Sequence, residues 1–262
     1  MDNPTRTAVI TGASSGFGAE FARRFADDGY ALVLIARRHD RLVALADELS
    51  ARHGTTSVVI AADLTDPTAP SSIAEELQAR GILVDALVNS AGFGTAGPFA
   101  VDDPTRIADE IQVNVAALTL LTRLLLPGLI DAPAGILVNV SSTAAHQPLP
   151  NAAVYGATKA YVTSFTEAVW QETRGTAVRV LGLCPGPTET EFFAVAGSDR
   201  FKVGQMLSVA RVVDIAFRAL GHGGSGPTVI AGWRNRVTAL AARLVPRRLT
   251  LAVGDRLMGG PR

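Results

Sequence analysis

Cysteine is nearly absent from this 262-residue chain: Cys184 is the only one, so no internal disulfide can form, which fits a reducing compartment. Lysine is almost as scarce, since Lys159 and Lys202 are the only lysines among 24 cationic side chains. Neither sign of charge prevails. With 24 acids against 24 bases and 18% charged residues, there is no global basic field to attract nucleic acid or acidic partners. Long unbroken apolar runs are missing too. The longest, Val115 to Ile130, is interrupted by Arg123 and Pro127 and reads as too short and too broken to span a bilayer. The first strand pattern begins near Thr7, so residues 1–6 leave no room for a signal peptide, and the expected location is cytoplasmic. There is no repeat, low-complexity tract or Pro/Ser/Gly-rich linker, and the length suits one α/β core, so residues 1–262 are expected to form a single domain.

What is present is an alternation of short aliphatic runs with longer helical patterns. Ala8–Thr11, Ala31–Ala36, Ser57–Ala61, Ala86–Asn89, Ile136–Val140, Val178–Leu183 and Thr228–Ala231 read as buried strands, with segments between them long enough for crossover helices. Continuous apolar strands separated by helices predict an α/β fold: a Rossmann-like, doubly wound parallel sheet of about seven strands with helices on both faces. In such a sheet ligands sit at the carboxyl ends of strands, so functional motifs are expected just after them.

Thr11-Gly12-Ala13-Ser14-Ser15-Gly16-Phe17-Gly18 follows the first strand and opens a helix, where backbone N–H groups and the helix dipole can face a pyrophosphate. The spacing departs from the commoner G-x-G-x-x-G, and a plain glycine turn is the competing reading. The second strand ends in Ala36-Arg37-Arg38, without the acid that usually bonds the ribose 2′-hydroxyl of NAD. A guanidinium matches a phosphate dianion in geometry and charge, so Arg37, with Arg38 and the Ser14 or Ser15 hydroxyl, predicts NADP(H) through its 2′-phosphate. A solvated arginine pair at a helix start is the alternative. Asp63-Leu64 follows the third strand, where the carboxylate would accept from an adenine amino group or cap the next helix. Asn89-Ser90-Ala91-Gly92 ends the fourth strand with small residues that permit close backbone approach.

Tyr155 and Lys159 lie four residues apart, which on a helix stacks a phenol and an ammonium on one face. In a chain that otherwise uses arginine, this lysine marks a place for a compact point charge. With the Gly-rich segment at 11–18, Asn89 to Gly92, Asn114, Ser141-Ser142 and Pro185-Gly186, the pair resembles the short-chain dehydrogenase/reductase family from about residue 5 to 230. The resemblance implies that Tyr155 is the general acid for a carbonyl oxygen, or the base in reverse. A phenol of ordinary pKa about 10 needs a nearby cation to ionise, and Lys159 would supply it while bonding the nicotinamide ribose. Family spacing favours Ser142 over Ser141 as the hydroxyl that orients the carbonyl. Asn114 would hold a water near the lysine, and Thr188, after Pro185 and Gly186, would contact the nicotinamide carboxamide. Two positions depart from the pattern: Ser90 stands where asparagine is frequent, and Ala145 where glycine often follows the serines. His146 reads as a residue flanking the pocket, because the relay is complete without it.

Residues 188–207 would form a substrate lid, disordered in the free protein, with Phe192 and Phe193 in it. Ala144, Leu149, Pro150 and Val154 join them in suggesting an apolar pocket. Residues 233–262 fall outside the resemblance and carry seven arginines against one acid, Asp255. Trp233, Val237, Leu240, Ala241 and Leu244 recur at helical spacing there, a stripe expected to pack on the domain or a dimer partner, with an anionic membrane surface as the alternative. Family members pair through the long helices after the fourth and fifth strands, so a homodimer or homotetramer is implied, with Leu118 to Leu126 as the apolar surface. The leading expectation is an NADP(H)-dependent oxidoreductase for an apolar ketone, aldehyde or secondary alcohol. A dinucleotide sensor without turnover, and a non-redox lyase or epimerase, are the alternatives.

Overall fold

The computed structural model describes residues 6–196, 204–221 and 226–258. Seven strands form one parallel sheet: β1 (Thr7–Thr11), β2 (Ala31–Ala36), β3 (Ser57–Ala61), β4 (Ala86–Asn89), β5 (Ile136–Val140), β6 (Arg179–Cys184) and β7 (Thr228–Ile230), in the order β3-β2-β1-β4-β5-β6-β7. Each expected strand is present, with ends moved by a residue at most. The chain runs outward from β1 to β3 and then returns to pair β4 with β1, registering Val9 against Leu87. That reversal is the topological switch point, and it leaves a crevice at the carboxyl ends of β1 and β4.

Alternation along the strands feeds two cores. On one face Ala8, Ile10, Leu32 and Leu34 pack under α1 (Gly16–Asp27), α2 (His39–His53) and α8 (Val209–Gly221). On the other, Val9, Val33, Leu87 and Leu137 pack under α3 (Ala69–Ala79), α5 (Leu118–Asp131) and α6 (Ala153–Glu172). A sheet covered on both faces explains why its strands read as continuous apolar runs.

α4 (Pro104–Ile111), a π-helical turn at Gln112–Ala117 and α5 join into one helix, Pro104–Asp131. Its 28 residues are long and apolar enough to cross a membrane, which the shorter run read from the sequence was not, because the helix extends backwards through α4. In the fold, 44% of its most apolar stretch is buried, and Val113, Ala117, Leu121 and Leu129 belong to the sheet core.

At the periphery of the first core Phe25 is fully buried and meets Tyr30 and Phe217 edge-on, with ring centroids 4.9 and 5.1 Å away. Phe25→Ala is expected to destabilise the fold by about 3–5 kcal/mol, since the cavity is walled by aromatic rings that cannot collapse into it. Urea unfolding of both proteins reads this directly as a lowered midpoint at unchanged slope.

Candidate active site

One cleft of ≈ 530 Å³ opens along the carboxyl ends of the strands. Its floor at the switch point is pinned by Thr11, whose hydroxyl oxygen accepts from the backbone N–H groups of Ser90 and Ala91 at 3.0 and 3.1 Å. Gly12 and Gly16 adopt φ of +69° and +51°, conformations in which side chains are strained. A Cβ on Gly12 would also come within 2.9 Å of the Ala91 backbone. Ser14, Ser15 and Phe17 line the same end. The loop therefore presents the open start of α1 to the cleft, as a pyrophosphate requires.

Arg37 and Arg38 follow β2 into this end. Arg38 donates through Nη2 to Ser14 Oγ at 3.0 Å and Ser15 Oγ at 2.9 Å, and through Nη1 to Glu191 Oε2 at 2.8 Å. Arg41, one turn into α2, also pairs with Glu191. Arg37 turns the other way, its guanidinium 4.0 Å from Asp63. Asp63 accepts from the Thr65 N–H in a local turn and does not cap α3, which starts only at Ala69. Leu64, Ala91 and Gly92 complete the cofactor half of the lining. These residues fit a nucleotide with an extra phosphate: backbone donors and glycines at the centre, a serine–arginine cluster at the rim.

Two residues expected at the cofactor are placed elsewhere. Asn89 is buried in the sheet core, donating to Thr122 Oγ1 at 3.0 Å and Asn139 Oδ1 at 2.9 Å, so it ties β4 to β5 and α5 instead of lining the cleft. Gly18 lies behind the loop, where a Cβ would stand 2.3 Å from the Gly12 carbonyl oxygen. Its smallness lets α1 approach β1; it does not contact the cleft.

At the other end α6 delivers Tyr155 and Lys159, both buried, to the cleft wall. Lys159 Nζ donates to the Val140 carbonyl at the end of β5, 3.0 Å away, and lies 5.9 Å from the centre of the Tyr155 ring. Ser142 hydrogen-bonds the Tyr155 phenol. Ser141 faces away, donating to the Lys159 carbonyl oxygen at 2.8 Å and sharing a 2.7 Å bond with Thr163. The two serines are thus separated by direction: one faces the tyrosine, the other locks β5 to α6. Asn114 sits in the π-helical turn. Its Oδ1 accepts from the Phe93 N–H at 3.1 Å, and its Nδ2 donates to the Phe93 carbonyl at 2.8 Å and to Thr158 at 3.1 Å. A Cβ on Gly92 would stand 2.8 Å from Asn114 Oδ1 and 3.3 Å from Lys159 Nζ, so the loop after β4 passes directly over both.

Pro185, Gly186 and Thr188 border the cleft after β6. Thr188 bridges to Leu207, which closes the two ends of the segment expected to be a disordered lid. That segment has structure at its start: α7 (Phe192–Ala196) is helical, and Phe192 packs on Tyr155 with centroids 5.1 Å apart. Residues 197–203, including Lys202, lie outside the described residues.

A family model for short chain dehydrogenases matches residues 6–200. The chain belongs to the short-chain dehydrogenase/reductase family. It is 43% identical over 197 residues to sulfoacetaldehyde reductase 2 of Chromohalobacter salexigens, covering 73% of this chain and 77% of that one. It is 37% identical over 199 residues to an NADP-dependent 3-hydroxy acid dehydrogenase of Salmonella typhimurium, covering 74% of this chain and 76% of that protein. A short-chain dehydrogenase from Sphingobium yanoikuyae in complex with NADPH superimposes with a TM-score of 0.81 at 30% identity, over 98% of this chain and 96% of the other.

The electrostatics of this short-chain dehydrogenase differ from the sequence expectation at one point. Burial pushes the Tyr155 phenol up to about 12, opposed by the Ser142 hydrogen bond, and the lysine is not among the main influences. The ammonium is held by the Val140 carbonyl, and burial brings it down to about 8, opposed by the carboxylate of Glu110. At neutral pH the pair is therefore a neutral phenol beside a cation, the state ready to donate a proton. Glu110 itself is fully buried, bonded to Thr95 at 2.7 Å, and burial raises its pKa. Nothing in the sequence pointed to Glu110 or Glu191, whereas Arg41, one turn after Arg38, carried a positional hint.

Because burial disfavours the phenolate, absorbance titration at 295 nm of wild type against Tyr155→Phe should show the missing phenol ionising toward about 12. Ionisation of that phenol near 10 would contradict burial as the dominant cause.

Proposed function

We propose that this chain is an NADP(H)-dependent oxidoreductase that interconverts an apolar ketone or aldehyde and its alcohol, with Tyr155 as general acid in reduction and base in oxidation. The observation that carries the reading is the pairing of Ser142 with a buried, neutral Tyr155 beside Lys159, in the same cleft as the serine–arginine cluster at 14, 15 and 38. Gly12, Ser14, Ser15, Gly16, Phe17, Arg37, Arg38, Asp63, Leu64, Ala91, Gly92, Pro185, Gly186 and Thr188 hold the cofactor, which when bound supplies or accepts hydride. Ser142 donates to the carbonyl oxygen as negative charge develops there, and Tyr155 delivers the proton. Lys159 keeps a positive charge beside the phenol, and Asn114 fixes the loop at Gly92 and Phe93 against which the reacting groups sit.

The substrate end is walled by Ala144, Leu149, Phe192, Phe193, Ala239 and Val253. Among the described residues the cations on the cleft are Arg37 and Arg38, at the nucleotide rim, and Lys159, already engaged by Val140. No further lysine or arginine lines the cleft among the described residues, and Arg200 and Lys202 of the expected lid lie outside them, so it is the apolar wall that supports a neutral, apolar substrate in this chain. Pro150 and Val154 are not on the lining. NADPH oxidation is expected with bulky apolar ketones and aldehydes, weakly or not at all with sulfoacetaldehyde and short oxo acids, and to fall at least about a hundredfold in Tyr155→Phe. Turnover of the anions in preference to the apolar panel would sink the substrate assignment, and undiminished turnover in the mutant would sink the mechanism.

The whole chain acts as one domain, because the C-terminal helices α9 (Trp233–Leu244) and α10 (Arg247–Met258) complete the cleft. Asn235 is buried and bonds Gln205 and the Ala231 carbonyl, and Gly254 faces Pro150. The tail stripe does not pack on its own domain, which leaves a dimer partner or a lipid surface of the readings the sequence offered. Small residues such as Ala239 face inward, whereas Trp233 is 70% and Leu244 87% exposed, with Val237, Leu240 and Ala241 on the same outer side. Exposed Leu120, Leu124 and Tyr161 on α5 and α6 offer a separate surface for a second copy in a dimer or tetramer. Arginines beside the tail stripe would repel one another across a two-fold contact, which favours an anionic lipid surface for that face. A single buried cysteine suits a reducing cytoplasm. Vesicles with anionic lipid should therefore retain the protein at low salt and lose it when Trp233 and Leu244 are both changed to Ser, with the oligomeric state unchanged by sedimentation; retention by the double variant would refute lipid contact through the stripe.

A further inference from the structure

Glu191 stands just before α7, and its carboxylate bridges two guanidinium groups: Arg38 at 2.8 Å and Arg41 on the other oxygen. The same Arg38 uses its Nε and Nη2 donors on the Ser14 and Ser15 hydroxyls. This cluster lies at the rim where a ribose 2′-phosphate would bind, with the exposed Arg37, 4.0 Å from Asp63, beside it. A carboxylate and a phosphate seek the same fork of donors, and an incoming phosphate competes with Glu191 for the Nη1–H that Arg38 directs at it and for the guanidinium of Arg41. The two arginines hold the Glu191 carboxyl down at about 2, so it is an anion at any working pH.

We propose that Glu191 is an internal competitor for the 2′-phosphate site and so a determinant of how strongly this enzyme discriminates between phosphorylated and unphosphorylated nucleotide. The proposal rests on the NADP(H) reading above. A nucleotide carrying the 2′-phosphate must displace the carboxylate and tolerate its charge nearby, whereas one without it leaves the Glu191 pairs undisturbed. The dianion wins because its charge is larger, but its affinity is reduced by the pairs it breaks. When it departs, Glu191 recaptures both arginines, so release leaves neither guanidinium unpaired.

The position of Glu191 ties this exchange to the substrate pocket. The next residue, Phe192, packs on Tyr155, and at the far end of α7 the Val195 carbonyl accepts from Arg106 of α4. Displacing Glu191 frees one end of a short helix whose other contacts touch the reacting tyrosine.

The test measures dissociation constants by protein fluorescence for NADPH, NADH, adenosine 2′,5′-bisphosphate and AMP, using wild type, Glu191→Gln and the exposed neighbour control Glu189→Gln. Glu191→Gln is expected to tighten NADPH and the bisphosphate about three- to tenfold, the range for two exposed ion pairs, and to slow NADP(H) dissociation in stopped flow. NADH, AMP and the control should stay within about twofold of wild type. Unchanged or weaker NADPH binding in Glu191→Gln, or an equal tightening of NADH, would overturn the proposal. Failure of the underlying reading looks different: wild type itself would then bind NADH as tightly as NADPH.

Discussion

A buried ammonium held against a strand carbonyl organises the Tyr155 end of the cleft. Lys159 Nζ bonds the Val140 carbonyl at the end of β5, and Ser141, the next residue along the chain, returns a bond to the Lys159 carbonyl. These two links run in opposite directions between the same strand end and the same turn of α6. They leave Tyr155 and Ser142 little freedom except to face each other. The cost is a buried charge, which burial alone would neutralise well below the ordinary lysine range. The site tolerates it because a strand end offers an unused carbonyl and because Glu110 lies within electrostatic reach.

The cofactor half depends on a different physical fact: a doubly wound sheet must reverse its strand order somewhere, and here it reverses between the paired strands β1 and β4, which leaves a crevice at their carboxyl ends. Thr11 closes the gap at its base by accepting two backbone N–H groups, so the glycines above it can be bent without support from side chains. At the rim, the absence of an acid after β2 is matched by arginines that are already engaged. Ser14, Ser15 and Glu191 satisfy them, and the competition for those donors joins cofactor choice to the segment that covers the tyrosine.

The C-terminal helices show that the larger side of an amphipathic pattern turns away from its own domain when the inner surface requires small side chains. A helix that packs under the Pro185–Gly186 loop must come close: a Cβ on Gly186 would stand 2.2 Å from Asn235 Nδ2. Bulky Trp233 and Leu240 do not occupy that face, and the stripe they belong to turns outward. The same closeness makes the tail a wall of the cleft through Ala239 and Val253.

By itself the sequence determined the seven strands, their parallel arrangement, the Gly-rich turn, and the Tyr155–Lys159 pair, because each of these rests on short-range periodicity or on residues close in the chain. Tertiary structure alone decided that Asn89 and Gly18 serve packing, that burial raises the phenol above its ordinary range, and that Glu191 reaches across the chain to Arg38, while it turned Ser142, the serine the family resemblance favoured, toward the phenol and Ser141 away. These depend on direction and burial: neighbouring side chains on an extended segment point to opposite sides, and desolvation is set by whatever the whole fold places around a group. Neither is written in the order of residues.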